Sequence, residues 1–241
     1  MNLLGALVNG VAASAGGLLG LIFRKRISEE LGDFLMMGMG LCVLLVGIQG
    51  MMGAGSVVTI TICMAIGGVI GHAIDIDGLV GRFGAWVQRR LGPAATAEQK
   101  AAEPSFARGF VNATLFICVG SMAIVGSLEA GLEGDAATLY AKSLIDCIVT
   151  MLMGATMGAG VVASGICVLA YEAILTAGAG ALQPLLSDAV VDQMLVTGSL
   201  LLLAIGFNMM KITDIKVANF LPAAFLPIVV YPLLALVPGL V

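Results

Sequence analysis

Eight runs of roughly 20 apolar residues, at about 3 to 23, 33 to 52, 56 to 74, 107 to 128, 139 to 156, 158 to 176, 190 to 210 and 217 to 239, occupy most of this 241-residue chain. A hydrocarbon core about 30 Å thick takes about 20 residues of helix to cross. Inside it every backbone polar group must find its partner within the protein. The runs therefore predict an all-α polytopic membrane protein of about eight transmembrane helices, forming one transmembrane domain over 1–241. Charged residues make up 11% of the chain, against about 25% in ordinary soluble domains, which is too little polar surface for a soluble fold. The cluster Arg24-Lys25-Arg26 follows the first run and no small-residue cleavage pattern comes after it. The first run is thus expected to remain as a membrane helix and not to act as a signal peptide.

Basic residues then set the orientation. Arg24, Lys25 and Arg26 follow span 1; Arg82, Arg89, Arg90, Lys100 and Arg108 separate spans 3 and 4; Lys211 and Lys216 separate spans 7 and 8. With eight spans all three groups fall on one side, while the acidic loop of Glu129, Glu133 and Asp135 falls on the other. The expected location is the bacterial inner membrane, multi-pass, with both termini periplasmic or extracellular. One boundary is ambiguous. The run 139–176 must turn at Gly154–Gly160 if both its pieces cross, and a long tilted helix or a re-entrant hairpin competes with that reading.

The segment Ile27 to Met51 reappears as Leu186 to Met210, with Ser28 over Ser187, Glu29 over Asp188, Asp33 over Asp192, Gly47 over Gly206 and Gln49 over Asn208. Matched leucines mean little in so apolar a chain; the matched polar positions mean more. With a gap of about nine residues, Gly10 to Ser14 also overlies Gly160 to Ser164. Combined with the charge pattern, this gives two inverted three-helix repeats, spans 1–3 and 6–8, with two inserted helices. The repeat units cover about 1–74 and 158–241. Internal symmetry of this kind is the usual trace of transporter folds, although duplication in a protein with no transport role would leave the same mark. Between the halves, residues 77–104 read as a cytoplasmic amphipathic helix, with Leu79, Phe83, Trp86 and Val87 on one face, followed by a flexible linker.

These features occur together with Gly16-Gly17-Leu18-Leu19-Gly20, Gly67-Gly68-Val69-Ile70-Gly71, Phe116 to Ile124, Lys142-Ser143 with Asp146, Leu182-Gln183-Pro184, and Val217 to Pro222. In these motifs the chain resembles the uncharacterised YdfK/YqgA family of bacterial inner-membrane proteins over nearly its whole length. The resemblance implies a polytopic membrane fold and, at most, transport; it implies no substrate.

Asp146 is the foremost candidate for chemistry, since an ionisable group inside a span is costly and is by default functional. Lys142, one helical turn earlier, could neutralise it. The alternative is a structural ion pair near the outer interface. Glu172 and Glu129 lie toward the ends of their predicted spans, where a transport role competes with interfacial solvation. Two glycine-interrupted stretches occupy corresponding places in the repeats: Asn9, Gly10, Ser14, Gly16 and Gly17 in span 1, and Gly158, Gly160, Ser164 and Gly165 in span 6. They are candidate helix breaks that could offer backbone groups to a solute; close helix packing is the competing role. The amides Gln49, Asn208, Asn112 and Asn219 must either bind helices together or line a polar path.

The five cysteines are scattered through apolar stretches and fit neither a zinc site nor a disulfide framework. The fourteen methionines sit among Leu and Val. Asp75-Ile76-Asp77-Gly78 lacks the other ligands of a calcium loop and reads as a turn. No metal or cofactor is expected, no nucleic-acid partner, and, with no nucleotide-binding loop or paired catalytic carboxylates, no enzymatic activity. The expected partners are the lipid bilayer and a small solute or monovalent ion, with a homodimer left open. The function expected is a secondary transporter or facilitator working by alternating access between the repeats. A channel-like homo-oligomeric pore and a non-transporting scaffold are the alternatives.

Overall fold

The computed structural model of the chain describes residues 2–24, 29–53, 55–80, 82, 106–118 and 121–236. Its elements are α1 (Leu4–Arg24), α2 (Glu29–Met51), α3 (Val57–Ile74), α4 (Phe106–Cys118), α5 (Ser121–Leu132), α6 (Ala137–Met157), α7 (Ala159–Leu182) and α8 (Asp188–Met209). A 3-10 turn at Val217–Phe220 then leads into α9 (Leu221–Phe225) and α10 (Pro227–Leu234). Among the described residues there is no strand, and six helices are long and apolar enough to cross a bilayer. The α4–α5 pair, bent by 59°, and the Val217–Leu234 pair, bent by 49°, bring the number to eight if each is one span. The chain is an all-α polytopic membrane protein. The amphipathic helix and linker expected at 77–104 lie largely outside the described residues.

Neighbouring contacts fix the directions. Along α1, Gly5 meets Leu139, Gly16 meets Cys147 and Gly20 meets Met151, so α1 and α6 run parallel. Asn9 meets Glu172, and Gly17 meets Val162, so α1 and α7 run antiparallel. The chain therefore reverses between α6 and α7. It does so at Gly158, whose φ of 82° is open to glycine and strained for L side chains. The turn expected within Gly154–Gly160 is present.

The other expected breaks are not breaks. α1 continues through Gly10, Gly16 and Gly17, and α7 through Gly160 and Gly165. What these glycines do is admit a neighbouring backbone. A Cβ at Gly10 would lie 2.8 Å from the carbonyl oxygen of Gly165, and one at Gly165 would lie 2.6 Å from that of Gly10. Close approach of this kind, through small residues, is how helices associate where lipid removes the hydrophobic drive.

α2 and α8 also pack antiparallel, with reciprocal contacts. A Cβ at Gly47 would sit 2.9 Å from Leu203 and 3.1 Å from the Ser199 carbonyl oxygen; one at Gly206 would sit 2.7 Å from Leu44 and 3.1 Å from the Gly40 carbonyl oxygen. α3 crosses Val217–Phe225 in the same sense, with Gly67 against Ala223 and Gly71 against the Asn219 carbonyl. α8 is the inner helix, with 67% of its apolar window buried against 17% for α2. The apolar side chains of α2 and α3 that stay exposed, such as Phe34, Val57 and Val69, are those a bilayer would cover.

The two ends of the bundle differ in charge. At one, Arg24 approaches the Gly158 turn, Arg108 pairs with Asp214 at 2.9 Å, and Lys211 pairs with Asp33 at 2.6 Å. At the other, Asn2 bonds the Ala130 and Gly134 carbonyls, and Glu129 accepts from Thr138 at 2.7 Å.

Candidate functional site

Three helices bring four polar side chains together inside the bundle. α6 supplies Lys142 and Asp146, one turn apart on the face turned to α1 and α7, where they form a buried ion pair. α7 supplies Glu172, which is 0% exposed. α1 supplies Asn9, whose Nδ2 donates to Glu172 Oε1 at 2.7 Å. Lys142 Nζ lies 3.7 Å from the same oxygen. One ammonium is thus shared between two carboxylates, both remote from water.

This arrangement is electrostatically incomplete. With every group ionised, the cluster carries one more negative charge than positive, and an uncompensated charge costs several kcal/mol or more in a medium that cannot solvate it. Hydrogen bonding is incomplete as well. Glu172 Oε2 and Asn9 Oδ1 are buried without partners, and so is the Thr176 hydroxyl one turn further along α7. The other hydroxyls at this level of α6 are occupied: Ser143 donates to the Leu139 carbonyl and Thr150 to that of Asp146, both at 2.7 Å.

Glu172 occupies a different place from the one its sequence position implied. Read as ending near 176, its span put the carboxyl toward an interface. α7 runs on through Thr176-Ala177-Gly178-Ala179-Gly180-Ala181 to Leu182, so Glu172 falls near the middle of the helix. The Ala-rich stretch is weakly apolar, but it buries Thr176 and Ala179 and continues as helix. Asp146 likewise falls near the middle of α6 rather than by the outer interface.

The remaining candidates lie elsewhere and have local duties. Ser14 donates to the Val162 carbonyl at 3.2 Å, fastening α1 to α7, and Ser164 donates to the Val161 carbonyl of its own helix at 2.7 Å; neither joins the cluster. Asn208 closes the loop after α8, bonding Thr213 and both backbone groups of Ile215. Asn219 Oδ1 accepts from the Asp77 amide at 2.9 Å. Asn112 reaches Met157 Sδ at 3.9 Å, and Gln49 is exposed. Asp75 caps α3 in a left-handed conformation, the turn expected there. Among the described residues no group of three or more His, Cys, Asp or Glu is arranged to hold a metal ion. Sequence reasoning passed over Gln193, a 2% exposed side chain of α8 that accepts from the Ser56 amide at 2.9 Å and fixes the start of α3. It also passed over Thr176, although Glu172 and Thr176 share the one-turn spacing of Lys142 and Asp146.

The family of proteins of unknown function called DUF554 matches residues 4–232. The chain belongs to this family. It is 27% identical over 230 residues to the uncharacterized membrane protein YdfK of Bacillus subtilis (strain 168), covering 94% of each chain. It is 26% identical over 223 residues to the uncharacterized protein YqgA of Escherichia coli (strain K12), covering 92% of this chain and 94% of that one. No solved structure gives a significant match. The matched span of this chain, residues 4–232, contains all four residues of the buried cluster, and the chain is a multi-pass membrane protein.

Proposed function

We propose that this protein is a secondary transporter or facilitator that moves a small solute or ion across the bacterial inner membrane, coupled through the Asn9–Lys142–Asp146–Glu172 cluster. The observation that carries the reading is Glu172: a fully buried carboxylate, near mid-helix, beyond what Lys142 can neutralise, with one oxygen unpartnered. A static scaffold gains nothing from such a group, because replacing buried ionic residues with apolar ones of similar volume is often neutral or stabilising. Ionisable residues inside membrane spans mark ion and substrate pathways.

The moving parts are the two inverted repeats, spans 1–3 and 6–8. The reading is supported by the reciprocal Gly47–Leu203 and Gly206–Leu44 contacts, which follow the sequence offset of 159 read from Gly47 over Gly206. It is supported too by α1 against α7, α2 against α8 and α3 against Val217–Phe225, each helix crossing its own counterpart antiparallel. Glycine-lined crossings of this kind let one unit rock on the other with little side-chain rearrangement. The gathering of Arg24, Arg108 and Lys211 at one end supports a cytoplasmic assignment for that end and periplasmic termini. No catalytic chemistry, cofactor or nucleic-acid partner belongs to this account; the bilayer and the transported species are its partners.

The test is current recording from proteoliposomes adsorbed on a solid-supported membrane, with concentration jumps of small solutes and monovalent cations. Saturable currents absent from protein-free liposomes are expected. Currents unchanged by Glu172→Gln would remove the coupling role.

A further inference from the structure

Beyond transport in general, and resting on that reading of the cluster, the geometry points to Glu172 as the seat of one exchangeable monovalent cation, a proton or Na+, with Lys142–Asp146 as its fixed neighbour.

Charge decides the valence. Asp146 is committed to Lys142, so a single negative charge is left for a ligand to neutralise. A divalent cation would overshoot by one charge, and hard divalent ions favour several carboxylate and carbonyl oxygens. An anion would add to the excess.

Geometry decides the place. Glu172 Oε1 is taken by Asn9 Nδ2, and Oε2 is free. The same hydrogen bond turns Asn9 so that its Oδ1 is left without a donor, at a residue that is itself 0% exposed. Thr176 Oγ1, one turn along the same face of α7, is the third unpartnered oxygen and sits in a residue only 1% exposed. Ser127 Oγ on α5 is also unpartnered, one turn before Gly131, which packs on the Thr176 carbonyl. A proton would reside on Glu172 Oε2. Na+ would take Glu172 Oε2, Asn9 Oδ1 and Thr176 Oγ1 as oxygen ligands. In both cases Asp146, the residue the sequence favoured, is the constant partner of Lys142 and not the exchanging group.

The groups facing Glu172 are few. Among the described residues they are Asn9 on α1, Lys142 and Asp146 on α6 and, further off, the thiol of Cys118 on α4; the neighbouring Tyr171 of α7 turns its ring to Phe225 instead. Glu129 of α5 is turned to Thr138. A change in occupancy at Glu172 is therefore felt first by Lys142, which could then swing wholly to Asp146.

The experiment uses the full chain purified in detergent and reads binding without flux. Thermal unfolding is followed in NaCl against choline chloride at matched ionic strength, and the C=O stretch of buried protonated carboxyl groups is followed by infrared spectroscopy across pH. In the Na+ case, NaCl raises the wild-type midpoint, and Glu172→Gln abolishes the rise. In the proton case, a carboxyl band titrates in wild type and is missing from Glu172→Gln. Glu172→Asp, which keeps the charge but withdraws it by one methylene, retains the signal with at least tenfold weaker Na+ affinity or a displaced titration, and serves if the Gln variant does not fold. The inference is overturned if wild type and Glu172→Gln are indistinguishable in both measurements. It is also overturned if the signal survives Glu172→Gln and is lost in Asp146→Asn. Saturable flux without cation binding would sink this inference and leave transport standing; binding without flux would do the reverse.

Discussion

Lys142 has a double electrostatic duty, since its one ammonium serves Asp146 and Glu172 together. Removing one member of a buried ionic cluster strands the others, at a cost of about 3–5 kcal/mol, whereas replacing the whole set is often neutral. Lys142→Met should therefore destabilise the protein by about 3–5 kcal/mol, and Lys142→Met/Asp146→Leu/Glu172→Gln should recover most of that loss, as measured by unfolding from bicelles. A loss under about 1 kcal/mol in the single variant would show that the cluster is already solvated or neutral. At this scale the sequence was partly legible. Lys142 and Asp146 announce themselves by their one-turn spacing inside an apolar run. Glu172 and Asn9 stand out singly but not as a pair, because what joins them is a contact 163 residues apart in sequence. Thr176 is silent for a different reason: a hydroxyl in a helix normally bonds its own backbone, and only packing shows that this one has no partner.

Between helices, glycine placement is the determinant, and it distinguishes neighbours on one element. On α2, a Cβ at Gly38 would meet nothing within 4 Å, while one at Gly47 would meet Leu203 and the Ser199 carbonyl. Overpacking a tight contact costs about 1–3 kcal/mol. Gly47→Val and Gly206→Val should each destabilise by that amount and to a similar degree, because their contacts are reciprocal, and Gly38→Val should not, as read by unfolding in the same bicelles. Unequal effects at Gly47 and Gly206 would count against the repeat. The helices themselves were plain from apolar run length, to within a few residues at most ends. α7 was drawn short because Thr176 to Leu182 is rich in Ala and Gly, which carry little hydropathy but pack well. The glycines of α1 and α7 look like helix breaks in sequence and act as packing surfaces in the fold. Composition cannot separate those roles; only the approach of the opposing backbone does. The bend at Val217–Leu234 falls where Pro222 and Pro227 each lack a backbone donor.

For the molecule as a whole, the inverted arrangement places the Gly158 turn and the Lys211–Asp214 loop on one side of the membrane and Gly134 on the other. Single cysteines at residues 159, 213 and 134, introduced into a variant lacking the five native cysteines, should label accordingly with a membrane-impermeant maleimide in intact cells: residue 134 reacts, while 213 and the exposed position 159, just after the turn, react only after permeabilisation. Labelling of 159 from outside would undo the inverted arrangement. The most direct test of the central claim, that an uncompensated carboxylate in the bundle couples a monovalent cation to transport, is charge displacement in proteoliposomes on a solid-supported membrane after a jump in Na+ or proton concentration. A saturable displacement is expected for the wild-type protein and its loss in Glu172→Gln; equal displacement in the two proteins would rule out cation coupling at Glu172.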